Sequence, residues 1–265
     1  MERHRSPSVF SPRFWIARGQ TAAAALAFYT CLPVPTAWTL EFRGIAGFAP
    51  AVGIFIGALL AILDALLQGV GIPILTASAL VVAANIAITG GLHLDGVMDT
   101  ADGLAVADPQ RRLAAMSDSV TGAFGVMAAI AVVLLKTTAL ADLHYGRWLA
   151  LMAAGGWGRW GQLTSILRYP YLKASGKGAF HKASVRSFRD AIPGLVLLLG
   201  LSGVQWFLDG DRAAIALGTA LGGSAIAILT GAWFARQLGG HTGDTYGAVV
   251  EWTEALLLCL LTALA

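Results

Sequence analysis

Long apolar runs separated by short polar stretches dominate the chain. They fall near residues 47–68, 72–90, 122–140, 147–166, 191–208, 213–235 and 248–265. Most approach the ~20 residues that an α-helix needs to cross ~30 Å of hydrocarbon. The alternation of a barrel strand is absent, and lipid offers backbone amides no partner outside a helix. The pattern therefore predicts an all-α, polytopic membrane bundle of about seven transmembrane helices. A shorter apolar segment, TAAAALAFYTCLPVP at 21–35, follows the basic Arg13 and Arg18 and contains Pro33 and Pro35 near its end. No A-x-A cleavage pattern follows it, so it is expected to remain as a short re-entrant or interfacial helix rather than leave as a signal peptide. Residues 1–20 then form a basic N-terminal segment, and 21–265 a single membrane domain.

Composition agrees with lipid as the solvent. Charged residues make up only 12% of the chain, against about 25% in a soluble domain, and mean hydropathy is +0.70. Cys31 and Cys259 stand far apart in apolar sequence and read as packing residues, not as a disulfide or a metal pair. Of the 18 basic residues, 14 fall in the N-terminal segment and in the polar stretches at 33–46, 92–121, 167–190 and 236–247, all on one side of a seven-span arrangement. The positive-inside rule places that side in the cytoplasm. This asymmetry explains the net charge of +3 without a nucleic-acid partner, and leaves the lipid bilayer as the expected surroundings.

Against so sparse a background of charge, the stretch GGLHLDGVMDTADGL at 90–104 is unusual: Asp95, Asp99 and Asp102 stand together with no Lys or Arg among them. On a helix Asp99 lies about 40° round from Asp95 and Asp102 about 20° the other way, so the three share a face. Three like charges repel, and a hard divalent cation, Mg²⁺ or Mn²⁺, held by carboxylates together with substrate phosphates would relieve them. The ordinary alternative is a solvated face that merely ends a span. The flanking Gly90, Gly91, Gly96 and Gly103 weaken a helix but let a bulky ligand approach the backbone. His93 points elsewhere on the wheel, as a packing or orienting residue.

Next comes a short helix with Asp108 as its cap and Pro109 at its first position, carrying Arg111 and Arg112. A basic pair beside an acidic cluster suits a metal-bound diphosphate, because guanidinium forks match phosphate oxygens; it equally suits plain positive-inside charge. Asp118 either joins this site or caps the following span. In RQLGGHTGDTYGAVVEWTEA, the glycine-rich loop around Gly240 and Thr242 would expose amides to a phosphate, and Asp244 would add a carboxylate to a metal site; turns also collect such residues. Lys136 and Arg159 sit inside spans, where charge is costly, and Asp64 is a candidate partner for Lys136. The basic stretch at 168–190 either attracts anionic lipid or forms a flap, hinged at Gly176 and Gly178, that brings Lys173, Lys177 or Lys182 to a phosphate.

The segments FYTCLPVP, GGLHLDGVMDTADGL, RRLAAMSDSVTGAFG and GGHTGDTYGA followed by Glu251 occur in the order found in the cobalamin synthases, the adenosylcobinamide-GDP ribazoletransferases, and from about residue 26 to 258 the chain resembles that family. The resemblance implies a multi-pass enzyme of the bacterial inner membrane with its active site facing the cytoplasm. Its substrates would be adenosylcobinamide-GDP and α-ribazole or α-ribazole 5′-phosphate, its product adenosylcobalamin or the 5′-phosphate, its leaving group GMP and its cofactor Mg²⁺. Asp95, Asp99, Asp102 and Asp118 would then be catalytic, the first three with Asp244 on the metal. Arg111, Arg112, Lys177, Gly240 and Thr242 would hold phosphate. Where many relatives have a basic residue this chain has Val120, which shifts the phosphate load towards Arg111 or Arg112. A homo-oligomer is compatible with the sequence. The rival classes are a CDP-alcohol phosphotransferase-like membrane enzyme, whose Ala-Arg and later Gly and Asp spacing is missing here, and a transporter, which would not gather its acids at one membrane edge.

Overall fold

The computed structural model describes residues 11–173, 177–185, 187–208 and 213–264. Twelve α-helices can be followed through them: α1 (Pro12–Tyr29), α2 (Ala49–Gly69), α3 (Ile74–Ile88), α4 (Leu92–Ala105), α5 (Pro109–Ala115), α6 (Ala123–Asp142), α7 (Arg147–Arg168), α8 (Lys177–Ser184), α9 (Ile192–Leu208), α10 (Ala213–Leu217), α11 (Gly223–Leu238) and α12 (Gly243–Thr262). A π-helical turn at Gly218–Gly222 joins α10 to α11.

Among the described residues five spans are long and apolar enough to cross a bilayer, namely Ile45–Gly69, α6, Phe188–Leu208, Ala213–Leu238 and α12, and the bent pair α3–α4 makes a sixth if it counts as one. The expected polytopic helical bundle is present, and two of the seven apolar runs take a different form from a plain apolar span. Helix α7 has the length, 22 residues, but it carries Arg147, Arg159 and Arg168, and 17 of its residues are buried. It runs through the middle of the bundle, touching α2, α9, α11 and α12, so its solvent is protein and it does not need an apolar surface. Helix α3 has only 15 residues and meets α4 at 90°. The bend is made by Gly90 (φ 60°) and Gly91 (φ 70°), a left-handed pair that side chains disfavour. The apolar pattern at 72–90 therefore ends in a turn, and α4 leaves the line of the span. At the other end, α1 begins at Pro12 and is continuous through residue 20, so no structural break marks the expected boundary between residues 20 and 21.

The outside of the bundle is apolar, with Phe55, Leu66, Ile130, Val196, Phe207 and Leu229 among its exposed side chains. Its inside contains charge. Close packing makes the crossing of α2 and α7 possible: a Cβ at Gly53 would overlap the Gly155 carbonyl, and one at Gly57 the Leu151 carbonyl. Small residues serve this purpose in membranes because helices there associate by packing and polar contact, without a hydrophobic drive between them.

Two ion-pair clusters lie between the helices. Lys136 of α6 reaches Glu251 at 2.6 Å and Glu254 at 2.5 Å on α12. Glu254 also accepts from Arg159 of α7 at 2.8 Å and from the Asn85 amide of α3 at 3.1 Å. Two cations and two carboxylates thus balance among three helices, and Asn85 ties α3 to them. In the second cluster Arg147 makes a forked contact with Asp64 of α2, at 2.5 and 2.8 Å, and donates to Ser78 at 3.1 Å and to the Leu140 carbonyl. The partner anticipated for Lys136 was Asp64; Arg147 takes it instead, because α7 begins beside α2 while Lys136 faces α12.

Breaking such a buried pair from one side leaves a charge with no compensation, which costs ~3–5 kcal/mol. Lys136→Met is expected to lower stability by about that amount in thermal or denaturant unfolding in micelles, and Lys136→Met/Glu251→Gln to recover part of the loss. Equal stability of Lys136→Met and the parent would show that the cluster does not hold α6 to α12.

Candidate active site

Two glycine-rich stretches, about 150 residues apart in sequence, come into contact because neither has side chains in the way. On α4, Gly96 lies against the Asp244 carbonyl, and on α12, Gly247 lies against the His93 backbone. Helix α4 consequently lays its first turns across the N-terminus of α12, and the chain following α7 closes the third side. There, His241 donates its N–H to the Pro170 carbonyl at 2.9 Å and accepts from Leu172 N–H at 2.8 Å. His241 is itself fixed by Thr245 (2.9 Å) and the Gly231 carbonyl (3.1 Å) through its two ring nitrogens.

These elements surround a cavity of about 250 Å³. Asp95, Lys173 and Asp244 form its charged rim, and His93, Gln162, His181 and Tyr246 its buried interior. Lys173 and Asp244 make a half-buried ion pair at 2.9 Å. Asp95 also borders an open depression of about 400 Å³ on its other side, beside Gly90 and Gly91.

Asp99, one turn beyond Asp95, feels the crowding. Partial burial, then the charges of Asp95 and Asp244, push its carboxyl up to about 6; Lys173 opposes them and Asp102 adds a little. A carboxyl held so high near other acids is a mark of sites that bind cations or move protons. Asp102 does something else. Its two oxygens accept from the Gly122 N–H at 2.7 Å and the Gly125 N–H at 2.8 Å, so it caps the start of α6 from across the bundle. The single three-aspartate face expected from the helical wheel is therefore divided: Asp95 and Asp99 join Asp244, while Asp102 is committed to backbone amides.

Other predicted residues are also placed by the fold. Asp118 is exposed and accepts from the Val120 N–H at 3.1 Å, within its own turn. Arg112 donates to the Val106 and Gln237 carbonyls, tying α5 to the end of α11, and Arg111 is exposed on the same short helix. Neither arginine lines the cavity. Gly240 lies against Pro170, and Thr242 caps α12 through Thr245; both build the loop that positions Gly243 and Asp244, and neither lines the cavity itself. Of the two flap lysines whose side chains are described, Lys173 is at the rim and Lys182 is not. Lys182 donates to the Ile166 (2.6 Å) and Tyr169 (2.8 Å) carbonyls and so closes the end of α7. Lys177 opens α8, and its side chain lies outside the described residues, as does Gly176.

The interior residues carry little signal in the sequence. Gln162 offers one, an amide in the middle of an apolar run, where burial without a partner is expensive. His181 belongs to a basic stretch with the character of a surface. In the structure it is buried, stacked at 10° on Tyr29 and edge-on to Phe28, and burial pushes its imidazole down to about 4.

Among the described residues, no three His, Cys, Asp or Glu side chains converge closely enough to hold a metal on their own. Mg²⁺ commonly binds through one or two carboxylates and completes its shell with water and substrate phosphates. One or two of Asp95, Asp99 and Asp244 would suffice for that kind of site: they are hard oxygen donors, and the charges of Asp95 and Asp244 act on Asp99.

A transfer site of this kind, buried at one end of a helical membrane bundle, belongs to an integral membrane enzyme. The family model described as cobalamin-5-phosphate synthase matches residues 21–262, and the chain belongs to that family. A protein of Trichormus variabilis named adenosylcobinamide-GDP ribazoletransferase is 58% identical over 241 residues, covering 91% of this chain and 96% of the relative. Relatives of the same name from Synechococcus sp. (52% identical, covering 88% and 92%) and Synechocystis sp. (48% identical, covering 91% and 93%) are similar over nearly their whole length. No solved structure matches. The family resemblance carried by the four motifs is thereby borne out.

Two measurements follow from this geometry. Asp102→Ala leaves two amides at the start of α6 without their acceptor and is expected to cost ~1–2 kcal/mol of stability with no change in any divalent-cation requirement; a changed cation requirement in a stable variant would return Asp102 to the metal. Asp99 binds its proton more tightly in the folded chain, so its contribution to stability is present below the ordinary value of 3.8 and is lost as pH rises through about 6. In metal-free protein, the melting temperature of the parent should therefore fall relative to Asp99→Asn across that window, and parallel curves would contradict it.

Proposed function

We propose that this chain transfers α-ribazole or α-ribazole 5′-phosphate onto adenosylcobinamide-GDP, releasing GMP and forming adenosylcobalamin or its 5′-phosphate. The observation that carries the reading is the meeting of Asp95 and Asp244, from distant motifs, with Lys173 at the rim of one cavity. In the reaction a ribazole hydroxyl attacks the phosphorus on the cobinamide side of the diphosphate. A new P–O bond forms to the ribose, the P–O bond to the GMP phosphate breaks, and the hydroxyl proton leaves to a carboxylate of the acidic rim.

Phosphoryl-group transfer asks little covalent chemistry of a protein and much charge compensation and in-line positioning. Lys173, freed from Asp244 when phosphate arrives, is the cation within reach of the diphosphate. The amides at the start of α12 add the positive end of a 20-residue helix. The open depression beside Gly90 and Gly91 gives a bulky corrinoid room to bring its phosphate to Asp95. One or two of Asp95, Asp99 and Asp244, with the substrate phosphates, would hold Mg²⁺, which would neutralise the diphosphate and the charge that develops on the leaving oxygen. Membrane orientation follows from the basic residues: the polar ends at 92–121, 167–190 and 236–247, which build the site, carry the positive charge and face the cytoplasm of a bacterial inner membrane.

Asp95→Asn is expected to reduce Mg²⁺-dependent GMP release by about a hundredfold or more, equivalent to ~3 kcal/mol of barrier. Lys173→Ala should raise KM for the GDP-bearing substrate. A correctly folded Asp95→Asn protein with parental turnover would overturn the assignment, and a parent that released no GMP would overturn the activity. For orientation, in a Cys31→Ser background, a cysteine at the exposed Ser119 should react with an impermeant reagent only from the cytoplasmic face, and one at the exposed His144 only from the other. Labelling of both from one face would contradict the arrangement.

A further inference from the structure

The cavity has two chemically different parts. Its rim is charged; its interior is polar and neutral. His93, Gln162, His181 and Tyr246 are each at least 95% buried, yet both ring nitrogens of His93 and of His181, the Gln162 side-chain oxygen and the Tyr246 hydroxyl have no hydrogen-bond partner. Each such group costs on the order of 1–3 kcal/mol when left unpaired, so four together in one cavity wall are not a packing accident. They point to a ligand, and their chemistry describes it. No carboxylate or ammonium belongs to this interior, so the ligand part that enters it carries no charge. Imidazole, amide and phenol offer both donors and acceptors, which is what sugar hydroxyls need. The rings of Phe28, Tyr171 and Tyr246 line the same space and suit a flat apolar heterocycle.

Two nucleosides take part in the reaction proposed above, on which this inference rests. Guanine presents adjacent N–H donors, for which a carboxylate is the fitting partner, and the only carboxylates on this cavity are at its charged rim. The base of ribazole is a benzimidazole, an apolar bicycle with one free ring nitrogen, joined to a ribose. It matches the interior in polarity and in shape. We infer that the interior of the cavity is the acceptor's nucleoside pocket, with the flat base against the rings of Phe28 and Tyr171 and the ribose hydroxyls taken up by His93, Gln162, His181 and the Tyr246 hydroxyl. The guanosine end of the donor is then left outside, on the side of Asp95 and Lys173. The acceptor site is complete without donor or cation, so the acceptor binds alone.

The test is equilibrium binding of α-ribazole to the full-length protein in micelles, by calorimetry or dialysis, with chelator present and no donor. The parent and Asp95→Asn should bind α-ribazole alike, although the second has lost GMP release. Gln162→Leu and His181→Phe should bind it at least tenfold more weakly, with GMP binding unchanged. Tyr246→Phe, which removes a single oxygen and keeps the ring, supplies the same comparison if the other variants do not fold, and should weaken α-ribazole binding severalfold. Folded variants with the parent's affinity for α-ribazole would overturn the inference, as would a loss of GMP affinity instead, which would make this the donor's pocket. Absence of GMP release in a parent that binds α-ribazole through these residues would sink the transferase reading and leave the pocket standing.

Discussion

Everything at the site depends on four charges buried where lipid cannot reach them and water does not. Lys136, Arg159, Glu251 and Glu254 balance one another between α6, α7 and α12, and α12 is the helix that supplies Asp244 and Tyr246 to the cavity. Glu251 lies seven residues, two helical turns, below Asp244 on one face, so the ion pairs fix the depth and rotation at which the carboxylate emerges. Gln162 is three residues above Arg159 on α7 and inherits its direction in the same way. Hydrophobicity cannot set such a register in a membrane, since one apolar face against lipid is as good as another. Charge can, because only one rotation pairs every ion.

The second constraint is backbone proximity. Helix α4 leaves the line of α3 at 90° and presses its Gly96 onto the Asp244 carbonyl, an approach that any side chain would prevent. A helix that turns off its span must satisfy its neighbours by other means than lipid. Asp102 does so for the start of α6, placing a full negative charge on two free amides at the positive end of a 20-residue helix. One acidic stretch thus divides its labour by helical turn: its first aspartates face the cavity side, and its last one fastens α4 to α6.

That division was not legible in the sequence, although much else was. Apolar runs revealed five of the spans, and the acidic and glycine-rich motifs named the two elements that meet. Helical periodicity says which residues share a face but not which neighbour that face meets, so Asp102 was grouped with Asp95, and Lys136 was matched to Asp64 when Arg147 was nearer. Position in the chain gave no such information for Lys182 either, whose ammonium closes α7 where attraction to lipid or a mobile phosphate contact had been the alternatives. Gly240 and Thr242 marked the right loop but not the residues that line the cavity. They hold its shape, and their neighbours Gly243 and Asp244 line the cavity. Helix α7 was recognised as apolar, yet its three arginines were the better clue, since charge is tolerated where a helix is wrapped in protein.

The contrast between rim and interior gives the arrangement its chemical sense. In the proposed reaction a diphosphate needs positive charge, which is easiest to supply at the edge of a bilayer, where water screens the aspartates. An acceptor that must lose its hydration and present one hydroxyl needs the opposite: a dry, neutral wall that neither attracts the diphosphate nor competes for the metal. Placing the two a few ångströms apart requires helices whose polar interior ends abruptly at the membrane surface. The buried ions of α6, α7 and α12 lie at that boundary, and burial first, then the charge of Arg159, opposed by Glu254, keeps His93 in the cavity wall uncharged. Burial therefore keeps the two cavity-wall imidazoles neutral while the carboxylates gather at the rim, and in the proposed reaction the line between the two is where the phosphorus would have to lie.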